Sequence, residues 1–280
     1  MLLTPIKLSM IKKFTFTIAG IALLLVSVSS CKKQDNTNKS GTIGTPVTPV
    51  VKPIYALTWS DEFDGTAVDA TKWGFDLGNL HVNNEKEYYK AENATVADGN
   101  LVITAKKELT DGQPYTSARM TSKFSQTYGR IEARIKMPMG QGMWPAFWML
   151  GSNIATVNWP QCGELDIMEH VNANNLIYGT MHWNVNGHVQ YGNTTASTPG
   201  DYHVYAIEWD KNEIRWYVDD NLFQTGNIKD NINTTGAFHL PFFILLNLAV
   251  AGDFPGATVD ESVLPASMYV DYVRVYKQTN

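Results

Sequence analysis

Cysteine is scarce: two residues in 280, Cys31 and Cys162, are too few for a disulfide framework, so the fold must be held by its core. Positive charge is sparse too. With 22 Lys and Arg against 27 Asp and Glu the net charge is −5, and no basic patch occurs, which excludes the concentrated cationic surface that nucleic acid requires. There is no GxSxG elbow, phosphate-cradling glycine loop, paired CxxC or HExxH, which removes the commonest hydrolase, nucleotide and zinc designs. Long helical periods are missing as well. The one sustained apolar run, Phe14 to Val28, follows Lys12 and Lys13 and is short for a membrane span, so it reads as a targeting segment outside the fold.

That run ends Val28-Ser29-Ser30-Cys31, which resembles the lipobox of bacterial lipoproteins, where the cysteine is lipidated and becomes the first mature residue. Residues 1–30 are therefore expected to be a lipoprotein signal peptide, with Cys31 as the lipidation site. Residues 31–53, rich in Thr, Asn, Lys, Gly and Pro, read as a disordered tether holding an exported domain on a bacterial membrane, at the outer membrane or the cell surface. Cys162 is then left without a partner and reads as a small buried apolar residue.

From residue 54 to 280 the pattern is one of short alternating segments separated by Gly, Asn, Asp or Pro. "NLVITAKK" (Asn100 to Lys107), "YGRIEARIKMP" (Tyr128 to Pro138) and "MYVDYVRVYK" (Met268 to Lys277) are examples. Such alternation marks strands with one core face and one wetter face. "VDD" before Asn221 is a hairpin turn signal. Many antiparallel strands, no repeat and no second compositional regime predict an all-β single domain, a two-sheet sandwich of jelly-roll type.

"GELDIMEH", Gly163 to His170, packs Glu164, Asp166 and Glu169 into one short stretch. A helix would leave Glu164 and Glu169 on no common face. A strand puts Glu164 and Asp166 on one face, and a β-bulge at Ile167 or Met168 would bring Glu169 to the same side. Two carboxylates about an acetal suffice for glycoside hydrolysis, one as nucleophile or base and one as proton donor, while Asp166 between them raises its neighbours' proton affinity. Two other readings are coordination of a cation, with His170 or His182 added, and a merely solvated acidic face. Trp144, Trp148, Trp159 and Trp183 lie close in sequence, and indole faces match the C–H faces of sugar rings, which favours a sugar cleft.

The same stretch is similar to the ExDxxE signature of glycoside hydrolase family 16, and its five-residue glutamate spacing resembles the bulged, laminarinase-type branch. "WSDEFDG", "NNEKEYY", "GMWPAFWMLG", "YGTMHW" and "ILLNLAVAGDFPG" extend the resemblance over roughly Tyr55 to Lys277. It implies a concanavalin A-like jelly roll whose concave sheet forms the cleft, and an endo-acting, retaining β-1,3-glucanase without a catalytic cofactor. By the resemblance Glu164 is the nucleophile, Glu169 the acid/base and Asp166 the assisting carboxylate, and Asn84, Glu132, Arg134, Trp144, Trp148, Trp159, His182 and Asn247 line the sugar subsites. A structural Ca2+ on the convex face is implied at Glu62, Gly99 (through its carbonyl) and Asp271. The expected partners are a β-glucan and, through the anchor, a membrane, with the protein a monomer. A surface protein that binds glycan without cutting it, a transglycosylase and a galactan-acting enzyme are the competing expectations.

Overall fold

The computed structural model describes residues 53–280. The expected signal peptide, the lipidation site Cys31 and the tether up to residue 52 lie outside the described residues. Two sheets make up the domain. Seven antiparallel strands form the first, in the order His188–Ala196, Leu176–Asn184, Glu164–Glu169, Met143–Gly151, Phe242–Val250, Arg119–Gln126, Trp73–Asp76. Ten strands form the second, with Gly129–Lys136 between His203–Trp209 and the long final strand Ala266–Gln278. Helical content among the described residues is confined to one short turn at Ile154–Val157 and three 3-10 segments.

The alternation read from the sequence is what builds the core. Ile131, Ala133 and Ile135 of the ten-stranded sheet and Leu165, Ile167, Phe147, Met149, Leu246 and Leu248 of the seven-stranded sheet are all at most 1% exposed, and they pack into one apolar layer. Apolar burial at this scale, about 25 cal/mol per Å2, replaces the absent disulfides. Asp219 and Asp220 take positive φ between paired Val218 and Asn221, a two-residue hairpin loop of the kind "VDD" predicts. Cys162 is fully buried beside Leu150 and Leu245, and burial pushes its thiol up to about 11, so it is an inert packing residue. The two-sheet all-β expectation holds.

Candidate active site

Gly163 opens the acidic strand. Its φ of +79° is left-handed, and a Cβ there would sit 2.9 Å from Ala237 and Phe242, so only glycine makes this approach. The strand that follows pairs Glu164 with Leu150 and Asp166 with Trp148, but Met168, not Ile167, with Phe147. Ile167 is thus the extra residue of a bulge, and on the other side Asp166 and Glu169 pair with Thr180 and Tyr178. Leu165, Ile167 and Met168 all turn inward at 0% exposure. The three carboxylates therefore share the outward face of the seven-stranded sheet.

Register extends that face into rows. Glu169 lies in line with Tyr178 on one side and with Ala146, Asn247, Arg119 and Asp76 on the other. Asp166 lies beside Trp148, and Glu164 beside His182. Each catalytic candidate is held by a neighbour in or near its row. Trp159 Nε1 donates to Glu164 Oε2 at 2.7 Å, Trp144 Nε1 donates to Glu169 Oε1 at 2.8 Å, and His182 Nε2 lies 2.9 Å from Asp166 Oδ2. Asp166 is further fixed through its backbone, whose carbonyl accepts from the buried Trp216 Nε1. Trp148 Nε1 donates to Asn247 Oδ1 at 2.8 Å, with the Arg119 guanidinium 4.8 Å from the indole centroid.

Three carboxyl groups without a lysine or arginine partner are costly to ionise together. Burial, then the charge of Asp166, pushes Glu164 up to about 8, against the pull of His182 and the Trp159 N–H. Burial pushes Asp166 up to about 7. Glu169 is driven well above the ordinary carboxylate range, by burial first and by Asp166 second. All three carboxyls are thus pushed toward the protonated form, and because each feels its neighbours' charge, ionising one raises the cost of ionising the next. One glutamate protonated and the other ionisable within a single cleft is the state that acid-assisted displacement needs.

Asn84, Trp144, Trp148, Trp159, His182 and Asn247 fall on or beside this face. Asn84 sits in a loop and donates to Asp253 Oδ1 at 2.7 Å, while Asp253 N donates to Asn83 O and Gly252 packs against the Trp144 ring, so the loop closes the Trp144 end. Glu132 and Arg134 do not belong here. They lie on strand Gly129–Lys136 of the other sheet, on its outward face, with the whole core between them and the trio. Glu132 accepts from Arg130 Nε at 2.7 Å and from Tyr276 OH, and Arg134 pairs with Asp271 at 2.7 Å over the Tyr202 ring. Both are structural ion-pair residues. Trp183 alternates away from His182 and packs in the core, its Nε1 donating to Asn233 O, so three of the four expected indoles lie on or beside the acidic face.

Three further side chains gather at this face that the sequence motifs do not single out. Tyr178 and Phe254 form an aromatic cluster with Trp144, their centroids 4.9 Å apart and Phe254 5.7 Å from Trp144. Period two along "YGTMHW" puts Tyr178 on the face of His182, a signal that was there to use. His188 stacks on His182 with Nε2 2.9 Å from its Nδ1, and lies 4.6 Å from the Trp159 ring centroid; nothing in the sequence marks it.

The candidate calcium residues lie at neighbouring strand ends. The final strand exchanges its partner from Asn100–Thr110, paired up to Val270, to Tyr55–Asp61, paired from Val273, and Glu62, Gly99 and Asp271 all border that gap. The donors are hard oxygens of the right type. Glu62, however, is held by Arg274 at 2.8 and 3.1 Å and Asp271 by Arg134, so as folded this donor set fits arginine rather than a cation.

The sequence profile of glycosyl hydrolases family 16 matches residues 81–274, the span that contains the whole acidic face. The chain belongs to that family. This hydrolase is 42% identical over 249 residues to the beta-glucanase of Rhodothermus marinus, across 80% of its own length and 86% of the relative's. It is 43% identical over 238 residues to the clotting factor G alpha subunit of Tachypleus tridentatus, spanning 82% of its own length and 35% of that longer protein. The X-ray structure of the Rhodothermus marinus laminarinase matches it with a TM-score of 0.76 at 39% identity, over 81% of this chain and 99% of that one.

Proposed function

We propose that this hydrolase is an endo-acting, retaining β-1,3-glucanase that cuts internal bonds of laminarin-like glucans, with mixed-linkage β-1,3-1,4-glucan as a second substrate. The observation that carries the reading is the Ile167 bulge, which puts Glu164 and Glu169 on one face, each pinned by an indole N–H. Glu164 attacks the anomeric carbon as Glu169 gives its proton to the departing glycosidic oxygen, and the C–O bond to the leaving sugar breaks as the ester to Glu164 forms. Glu169, now a base, takes a proton from water; the water oxygen attacks the same carbon and expels Glu164. Two inversions give retention. Asp166, bonded to His182, accepts the proton that Glu164 must shed before attack and so sets the charge of the nucleophile. Trp144, Trp148 and Trp159 offer aromatic surface to pyranose rings.

The test is reducing-sugar release from laminarin, lichenan and agarose. Glu164→Gln is expected to abolish release from laminarin while leaving laminarin binding intact. Unchanged turnover would remove Glu164 from its role, binding without release by the wild type would favour a glycan-capturing protein, and preferential cutting of agarose would move the substrate to galactans. Longer oligosaccharides accumulating in place of reducing ends would indicate transglycosylation.

Export and lipidation at Cys31 belong to the same proposal, supported by the lysines, apolar run and Val-Ser-Ser-Cys ending. Cys31→Ala is expected to block labelling by a radioactive fatty acid. A monomeric state is part of the same proposal and is read by light scattering, where a dimer mass would overturn it. A structural Ca2+ at Glu62, Gly99 and Asp271 requires Glu62 and Asp271 to exchange their arginines for the ion. A melting temperature unchanged by chelator and by added calcium would eliminate it.

A further inference from the structure

The cleft holds a second kind of chemistry that glycoside cleavage does not call for. One oxygen of Glu164, one of Asp166 and one ring nitrogen of His182 lie within 4.8 Å of one another, and Asp166 is only 3% exposed. His182 is also braced. Its Nδ1 meets His188 Nε2 at 2.9 Å in a stacked pair 5.1 Å between centroids, so an Nδ1 proton given to His188 leaves the Nε2 lone pair pointing at the carboxylates. Ligating imidazoles are oriented in this way, with the far nitrogen tied by a hydrogen bond.

We propose that Glu164, Asp166 and His182 form a binding site for a borderline transition-metal dication, Zn2+ in the first instance, whose occupation excludes the glucan and so inhibits the enzyme. Two carboxylates and one imidazole are a donor set that zinc accepts, with a fourth position left toward the open cleft for water. Calcium and magnesium are disfavoured, since they want six or more oxygens and only two carboxylates converge here. The geometry asks for small movements: zinc bonds of about 2.0–2.1 Å require donor atoms about 3.3 Å apart in a tetrahedron. The Asp166–His182 contact of 2.9 Å must open slightly, and no other pair need close from more than 4.8 Å. Trp159 Nε1 bonds Glu164 through Oε2. His170, the other imidazole near the acids in sequence, takes no part, because it is fully buried with both nitrogens on the carbonyls of Leu176 and Asn172.

The site stands on geometry alone; only its effect on sugar binding rests on the proposed glucanase reading. The test is calorimetric titration of ZnCl2 into the metal-stripped full-length protein at neutral pH, without sugar. One zinc per chain is expected. His182→Asn is expected to weaken it at least 100-fold, and His188→Gln about 10–100-fold through loss of the brace. Near-UV circular dichroism checks that both variants are folded, and Co2+ titrated into the wild type gives a variant-independent readout, the intense visible absorption of a tetrahedral N/O site. No binding at millimolar zinc, or wild-type affinity in His182→Asn, overturns the proposal. A laminarin oligosaccharide is expected to weaken zinc binding in proportion to its own occupancy, and full zinc affinity on the sugar-saturated protein overturns the exclusion. Intact zinc binding in a protein that neither binds nor cuts any glucan would instead sink the functional reading and leave the metal site standing.

Discussion

On the outward face of the ten-stranded sheet, Glu132 and Glu208 share Arg130, and Glu208, Asp210 and Glu213 surround Arg215. On the outward face of the seven-stranded sheet, Glu164, Asp166 and Glu169 meet two indole N–H groups and one imidazole, and no arginine or lysine. The residue types are the same and the company is opposite. Near Arg274 the Glu62 carboxyl is held below its ordinary value, whereas all three cleft acids are pushed above theirs. A carboxylate beside a guanidinium is locked into one charge state and can only hold structure. A buried carboxylate with neutral donors keeps its proton within reach of physiological pH, which is what proton transfer requires.

That contrast can be broken by exchanging effects between the faces. Glu164→Gln and Glu169→Gln should each lower kcat on laminarin by about 10³-fold or more, as loss of a nucleophile or a proton donor demands. Both should nevertheless raise the melting temperature at pH 8, because an ionisable group that is costly to charge has been replaced by a neutral one. Glu132→Gln should do the reverse, costing about 1–2 kcal/mol of stability with kcat/KM on laminarin changed less than about twofold. Chemical denaturation and initial rates on the same preparations check both.

Stability against pH sharpens the same point. The folded-state values of Glu164 and Asp166, about 8 and about 7, lie above those of an unfolded chain, near 4. The folded state therefore binds more protons between these limits. The contribution of Glu164 and Asp166 is fully present below pH of about 4 and is lost as pH rises through about 7 to 8. Asp166→Asn and Glu164→Gln should flatten that slope in a series of thermal melts.

Smaller shifts are expected in the rate profile. Removing the Asp166 charge, which raises Glu164, should move the acid limb of kcat/KM to lower pH in Asp166→Asn, alongside a lower kcat. Trp144→Phe keeps the ring and removes the N–H that holds Glu169 down, so its alkaline limb should move up. A profile unmoved by either change would disconnect these neighbours from the acids they touch.

Much of this was legible in the sequence. The odd spacing of Glu164 and Glu169 on a strand demanded an extra residue, and Ile167 supplies it. Trp144 and Trp148, four apart, had to share a face. Period two fails at a definite place, however: it tells which residues share a face of a strand, not which sheet the strand joins. Glu132 and Arg134 alternate with Ile131, Ala133 and Ile135 as any wet-faced strand would, and only pairing with His203–Trp209 and Ala266–Gln278 shows that their face looks away from the cleft. Phe254 and His188 reach the site through loop closure and an adjacent strand, neither of which local spacing encodes.

The Ile167 bulge puts Glu164 and Glu169 on one face, where both can reach a single acetal. Trapping with a 2-deoxy-2-fluoro-β-laminaribiosyl fluoride, followed by peptide mass spectrometry, addresses this directly. A glycosyl ester on Glu164, formed by wild type and absent from Glu164→Gln, is the predicted result. An ester on any other carboxylate, or slow hydrolysis of the reagent with no adduct and an inverted product, would contradict it.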